Sequence, residues 1–234
     1  MGRKRKRSTR RGKRGGKRRR FRRALRRIKH SVVKSGNPFR RVHTVRHRYQ
    51  ESSKSLNPGV GGTCAVHIFR ANSMYDPDYT GTGHQPLGFD EMSTIYNKHK
   101  VTRAKITVTF QPSTNQYVGT VVGVAISRGN GGLSDAREYI ENGSCVWKYM
   151  DAATTANGAV HSKTVSLGVD IKKFFGKSSL DDDFIGSSSA NPDRVLYFHV
   201  FCGNLNSQDE GIVYFNAKIE FQATWTDPYD LVLS

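Results

Sequence analysis

Fourteen consecutive residues near the C-terminus, Val213 to Thr226, alternate without a break. Val213, Phe215, Ala217, Ile219, Phe221, Ala223 and Trp225 fall on one side of an extended chain. Tyr214, Asn216, Lys218, Glu220, Gln222, Thr224 and Thr226 fall on the other. Side chains change face every residue in a strand and every 3.6 residues per turn in a helix, so this pattern specifies a strand with one dry and one wet face. Such a strand belongs in an antiparallel sheet, because parallel strands are covered on both faces and read as continuous apolar runs. Pro228 stops it. Phe215, Ile219, Phe221 and Trp225 are therefore expected in a core between two sheets.

Seven more segments are short, β-branched and aromatic, divided by Gly, Pro, Asn, Asp and Ser. They are centred on 42–51, 64–70, 102–110, 117–127, 144–150, 160–169 and 194–202. In the third, Ala104, Ile106, Val108 and Phe110 face one way and Arg103, Lys105, Thr107 and Thr109 the other. The fourth and seventh are apolar on both faces. Two minor helices are expected, at 88–98 and 134–142. Eight strands without helix–strand alternation argue against a parallel α/β sheet and for an antiparallel sandwich or barrel. The connections after strands two, four and six are long, and those after three, five and seven are short. Successive connections in a sandwich alternate between its ends, so one end collects the long loops. The expected fold class is all-β: a single eight-stranded antiparallel jelly roll of two packed sheets, residues 42–234, behind a disordered basic N-terminal arm and linker, residues 1–41.

The arm is the second constraint. Residues 1–50 hold 23 of the chain's 38 Lys and Arg and none of its 19 Asp and Glu, which leaves 15 basic against 19 acidic residues for 51–234. This is a mildly acidic body carrying a polycation. Charges this dense repel, and too little apolar surface accompanies them to form a core. A polyanion reverses the balance, because each neutralised phosphate releases counterions without regard to base sequence. Arg suits phosphate through its planar fork. The expected nucleic-acid contacts are Arg3, Lys4, Arg5, Lys6, Arg7, Arg10, Arg11, Lys13, Arg14, Lys17, Arg18, Arg19, Arg20, Arg22, Arg23, Arg26 and Arg27, with Arg40 and Arg41 at the base of the arm. Lys4, Arg5, Lys6 and Arg7 also suffice for nuclear import, with host import factors as partners. Phe21, Leu25, Ile28 and Val32 have the spacing of an amphipathic basic helix.

The rest of the composition narrows the classes further. No apolar run approaches the roughly 18 residues of a membrane span, and the N-terminus has no signal-peptide core. Cys64, Cys145 and Cys202 are odd in number and far apart, so neither a disulfide framework nor a zinc site is expected. His43 and His47 stand four apart, but on a strand and without a third ligand; a solvated or phosphate-facing pair is the simpler reading. Asp181, Asp182 and Asp183 lack the alternating spacing of a calcium loop; they read as a solvated acidic loop, with an ion at a subunit interface as the alternative, and Asp76 and Asp78 read the same way. No catalytic residue, metal ligand or cofactor is expected. Three function classes remain: a shell protein that packages nucleic acid, a cellular nucleic-acid-binding protein with a basic tail, and an enzyme recruited by the arm. A body that is net negative disfavours the second, and the lack of a catalytic cluster disfavours the third.

One run carries a resemblance. Gly83-His84-Gln85-Pro86-Leu87-Gly88-Phe89-Asp90 leads through Tyr96-Asn97-Lys98-His99 into Val101–Phe110. It is similar to the "GxQPxGFD…Y" segment and following "VxxxKIxVTF"-like strand of capsid proteins from circovirus-like, Rep-encoding circular single-stranded DNA viruses. Val101, Lys105-Ile106 and Val108-Thr109-Phe110 occupy the corresponding places. The layout of arm and body also resembles small plant RNA viruses and satellite viruses. The resemblance implies a jelly roll that self-assembles into an icosahedral T=1 virion of about sixty copies. Its arms would lie inward on a single-stranded genome, with assembly in the host nucleus and a surface receptor on the host. About sixty arms of +23 can neutralise on the order of a thousand phosphates, the scale of a small circular genome. Aromatic residues in the long connections, Tyr75, Tyr79, Phe174 and Phe175, are the expected subunit interface.

Overall fold

The computed structural model describes residues 37–58, 63–113, 119–151, 162–203 and 211–230. The Arg-rich arm with its import signal, the Phe21–Val33 stretch and the first residues of the expected fourth and sixth strands lie outside these. The strands are β1 (Val42–Leu56), β2 (Ala65–Arg70), β3 (Tyr96–Pro112), β4 (Thr120–Ser127), β5 (Cys145–Met150), β6 (Lys163–Asp170), the two-residue β7 (Gly186–Ser187), β8 (Tyr197–Gly203) and β9 (Val213–Pro228). Short helices α1 (Phe89–Ser93), α2 (Ala136–Glu141) and α3 (Ile171–Phe174) sit in the connections.

The pairing is nested. β1 pairs with β9, β2 with β8, β3 with β6 and β4 with β5, all antiparallel. Two further pairings, β3 with β9 and β4 with β8, join these into two sheets, ordered β1-β9-β3-β6 and β2-β8-β4-β5. A long hairpin rolled up in this way is a jelly roll. The long connections 71–95, 128–144 and 171–196 meet at one end. There the Ala71 amide donates to the Leu196 carbonyl at 2.6 Å, and Asn130 Nδ2 donates to Tyr79 Oη at 2.5 Å.

The alternation of β9 translates directly into burial. Phe215 is 1 % exposed and Ile219, Phe221 and Trp225 are 0 % exposed, while their even-numbered neighbours face outward. Val121, Val122 and Val124 of β4 are all buried, because β4 has the inter-sheet core beneath it and Ala136 and Tyr139 of α2 above. Gly123 sits where an added Cβ would come within 2.5 Å of the Phe201 ring, so only glycine lets the strand pass beneath that side chain.

Three expectations need correcting. The helix expected over 88–98 ends at Ser93, and Tyr96 begins β3, six residues before the expected start. The cause is tertiary. The last turns of β9 need a partner, and Lys98↔Thr226, His99↔Trp225 and Lys100↔Thr224 supply it. β1 likewise continues past Glu51 to Leu56, through a bulge at which Ser53 takes φ 59° and its amide donates to Asn216 Oδ1 at 3.0 Å. The 170–193 connection is not plain loop: it holds α3, a 3₁₀ turn at Asp182–Phe184, and β7, which adds to β3.

Replacing Phe221 by Ala should cost about 3–5 kcal/mol, since a ring with no exposed surface leaves a cavity between two well-paired sheets. Chemical denaturation of wild type and variant measures this; an unchanged midpoint would place Phe221 outside the core.

Candidate nucleic-acid interface and assembly surfaces

Of the expected nucleic-acid contacts, Arg40 and Arg41 are described, and both are exposed. They lead into β1 at a fixed point: Tyr96 Oη donates to the Arg40 carbonyl at 3.0 Å, and the Tyr96 ring lies parallel to His43 at 6.4 Å. The base of the arm is thus tied to the start of β3. Arg46 and Arg48, counted above with the basic N-terminal fifty, belong to the body, where they project outward from β1. The division of charge shifts accordingly: 21 basic residues precede Val42, leaving 17 basic against 19 acidic residues from Val42 onward.

The expected interface residues lie at the long-loop end. Tyr79 is exposed, with its ring edge-on to Tyr197 and the Arg70 guanidinium 5.0 Å from its centre. Tyr75 is half-buried against the core. Phe174 and Phe175 pack edge-to-face on each other, Phe175 packs on the buried Phe184, and Arg128 lies over both. Other aromatic and apolar residues of these loops, Met74, Phe89 and Phe184, are core. Periodicity did not single out several large apolar side chains that are open. Leu87 is 89 % exposed, and Val146, Trp147 and Tyr149 stand out from β5, the end strand of its sheet.

Two groups read as solvated are interior. His47 is 3 % exposed. Its Nδ1–H donates to the Leu87 carbonyl at 3.2 Å and its Nε2 accepts from Trp225 Nε1 at 3.0 Å, which fixes a neutral tautomer. The reason is parity: on β1, 43, 45, 47 and 49 share the core-facing side. Asp78 is fully buried and accepts from the Thr80 amide and hydroxyl at 3.0 and 2.8 Å. His67 and Lys54 stand 3.1 and 3.3 Å from its two oxygens. Burial pushes the Asp78 carboxyl up, but Thr80, His67 and Lys54 pull it further down, so it stays ionised. Asp76 pairs with Arg70 at 2.7 Å, Asp183 with Arg194 at 2.9 Å, and Asp181 with Lys177. Lys54, His67 and Arg70 reach their carboxylates from β1 and β2, whereas Arg194 and Lys177 belong to the same connection as the Asp residues they pair with. Among the described residues no three His, Cys, Asp or Glu side chains form a metal-binding group, and no helix is long and apolar enough to cross a membrane.

His99 completes the cluster around Trp225. It is 1 % exposed, neither ring nitrogen has a partner, and Phe89 and Trp225 pack on it at 5.3 and 5.1 Å. Gly186 of β7 touches it so closely that an added Cβ would lie 2.7 Å from Nε2. Burial, with a smaller effect of His47, lowers its pKa to about 4.

No family profile matches the chain, and no curated protein matches it in sequence. Solved structures superpose on most of it at low identity. A Cocksfoot mottle virus structure has 11 % identity and TM-score 0.46, covering 81 % of this chain and 97 % of that one. One from Desmodium yellow mottle tymovirus has 11 % identity and TM-score 0.43, covering 87 % and 96 %. One from Mud crab tombus-like virus has 9 % identity and TM-score 0.43, covering 89 % and 100 %. The fold assignment stands on strand order and register, not on these.

The His99 environment makes stability pH-dependent. Its folded pKa lies below its ordinary value, so the unfolded chain takes up the proton first as pH falls. Stability is full above about 6.5 and declines toward about 4. The drop from this one group is about 3–4 kcal/mol, at 1.4 kcal/mol per pKa unit. Denaturation midpoints measured across that window should fall in wild type and fall less in His99→Phe, which cannot titrate. Parallel curves would show that His99 is not the group responsible.

Proposed function

We propose that this chain is a viral coat protein whose body assembles into a closed shell and whose arm holds a single-stranded genome inside it. The observation that carries the reading is the division of charge: 21 basic and no acidic residues before Val42, on a jelly-roll body that is nearly neutral. A nearly neutral body can pack against copies of itself without large repulsion, while arms that repel one another are brought together by a shared polyanion. The end strand β5, with Val146, Trp147 and Tyr149 exposed, and the open Leu87 are surfaces a solitary protein usually covers. We assign subunit contacts to these and to the long-loop end around Tyr79. A shell of about sixty copies is the smallest icosahedral arrangement of one chain type. The Gly83–Phe110 run supports DNA as the genome, and Lys4–Arg7 supports assembly in the host nucleus.

Deleting residues 1–41 tests the role of the arm. The truncated chain should fold with an unchanged far-ultraviolet spectrum yet release nucleic acid at a salt concentration that the full chain withstands. Equal retention by both, measured by absorbance of the purified proteins at the same salt, would contradict the reading.

A further inference from the structure

The charge of the body is not evenly spread. Register places the outward side chains of the β1-β9-β3-β6 sheet in rows. One row runs Arg46, Gln222, Arg103, Asp170; the next runs Arg48, Glu220, Lys105, Gly168. Lys218 lies beyond these rows on one side, and Lys100 and Lys98 on the other. Among the described residues from Val42 onward this face therefore holds seven of 17 basic residues but only Glu220, Asp170 and Asp227 of 17 acidic ones, leaving ten basic against 14 acidic elsewhere. Glu220 is shared between Arg48 at 3.5 Å and Lys218 at 3.2 Å, Asp170 pairs with Arg103 at 3.1 Å, and Lys98 pairs with Asp227 at 4.0 Å. The excess over these pairs rests on Arg46, Lys105 and Lys100.

The relief of the face fits an extended polyanion. An open depression of about 490 Å³ lies between Arg46, Arg103, Lys105, Gly168, Glu220 and Gln222. A second, of about 390 Å³, adjoins it across Arg103, Asp170 and Gln222 and reaches Lys100 and Lys172; Asp170, which borders both, is paired with Arg103. Gly168 contributes no side chain to the floor. Further along the strands, short hydroxyls pair across them, Thr107 with Ser166 at 2.9 Å and Thr109 with Thr164 at 3.1 Å, and keep the surface low. Among the described residues no aromatic ring lines the depressions, so bases have nothing there to stack on. The recognisable part of a ligand is its backbone charge.

We infer that the outer face of the β1-β9-β3-β6 sheet is a second nucleic-acid contact, which takes the phosphodiester backbone of a single strand along the row Arg46–Arg103–Lys105. It deepens the shell reading, and β1, which bears Arg46, is also the strand the arm runs into. The face would bind without base preference, and each cation engaged would add to the salt dependence of binding.

The test uses the full chain and oligo-dT, titrated over a range of salt. Neutralising Arg46 and Lys105 together (R46Q/K105Q) should flatten the slope of log affinity against log salt by about 1.4, at ~0.7 per phosphate contact on a single strand. The charge-preserving R46K/K105R should keep the wild-type slope. K148Q, on the end strand of the other sheet, should leave the slope unchanged. An R46Q/K105Q slope equal to wild type would overturn the proposal. So would a variant that loses assembly while keeping its slope, because the face would then meet the acidic surface of a second copy. The measurement needs binding, not particles. Wild-type binding without particles would contradict the shell reading and still leave the slopes to decide the face.

Discussion

Everything in this molecule depends on β9 being held on both sides. It pairs with β1 from Val42↔Thr226 to Leu56↔Val213 and with β3 from Tyr96↔Pro228 to Pro112↔Val213. A one-residue slip on either side would turn Phe215, Ile219, Phe221 and Trp225 into solvent and bring Lys218 and Glu220 into the core. Register is therefore strongly specified, and other elements take their positions from it. Trp225 is the anchor at one end. Its indole N–H is satisfied by His47, its faces are covered by Phe89, His99 and Tyr96, and His47 in turn holds the Leu87 carbonyl of the first long connection. One side chain on the central strand thus ties together β1, β3 and the loop before α1.

The same register sorts charge. Because β1 and β3 both stay in register with β9, each apart from one bulge that switches its parity, their polar residues emerge together on one face, and that face is where the body's cations collect. A body that is mildly acidic as a whole becomes two-sided as a fold, basic on the outside of one sheet and acidic elsewhere. Exposed pairs such as Arg48 with Glu220 add little to stability. Their effect is to limit the excess charge to a few positions, Arg46 and Lys105 among them.

Much of this was legible before folding, and the reason is locality. Strict alternation in 213–226 and 103–110 is a property of neighbouring residues, and it gave the strands, the core residues of β9 and the outward Arg103 and Lys105. Loop lengths alternate along the chain, and this carried the jelly roll. What failed depends on partners distant in sequence. Tyr96–Lys98 reads as the tail of a helix until β9 is there to pair with it. His47 reads as solvated until Trp225 supplies a donor, and Asp78 reads as a loop carboxylate until Lys54 and His67 arrive from β1 and β2. Aromatic loop residues were visible as a group. Phe184 turns inward and Leu87 outward because of tertiary packing, which composition does not encode.

A coat protein differs from any solitary nucleic-acid binder in closing upon itself. Electron microscopy of the purified full chain mixed with single-stranded nucleic acid tests that difference most directly. Closed particles of uniform size, roughly 20 nm across for a shell of about sixty copies of a domain this size, are the predicted result. Complexes that grow with the length of the nucleic acid, with no closed particle of fixed diameter, would contradict it.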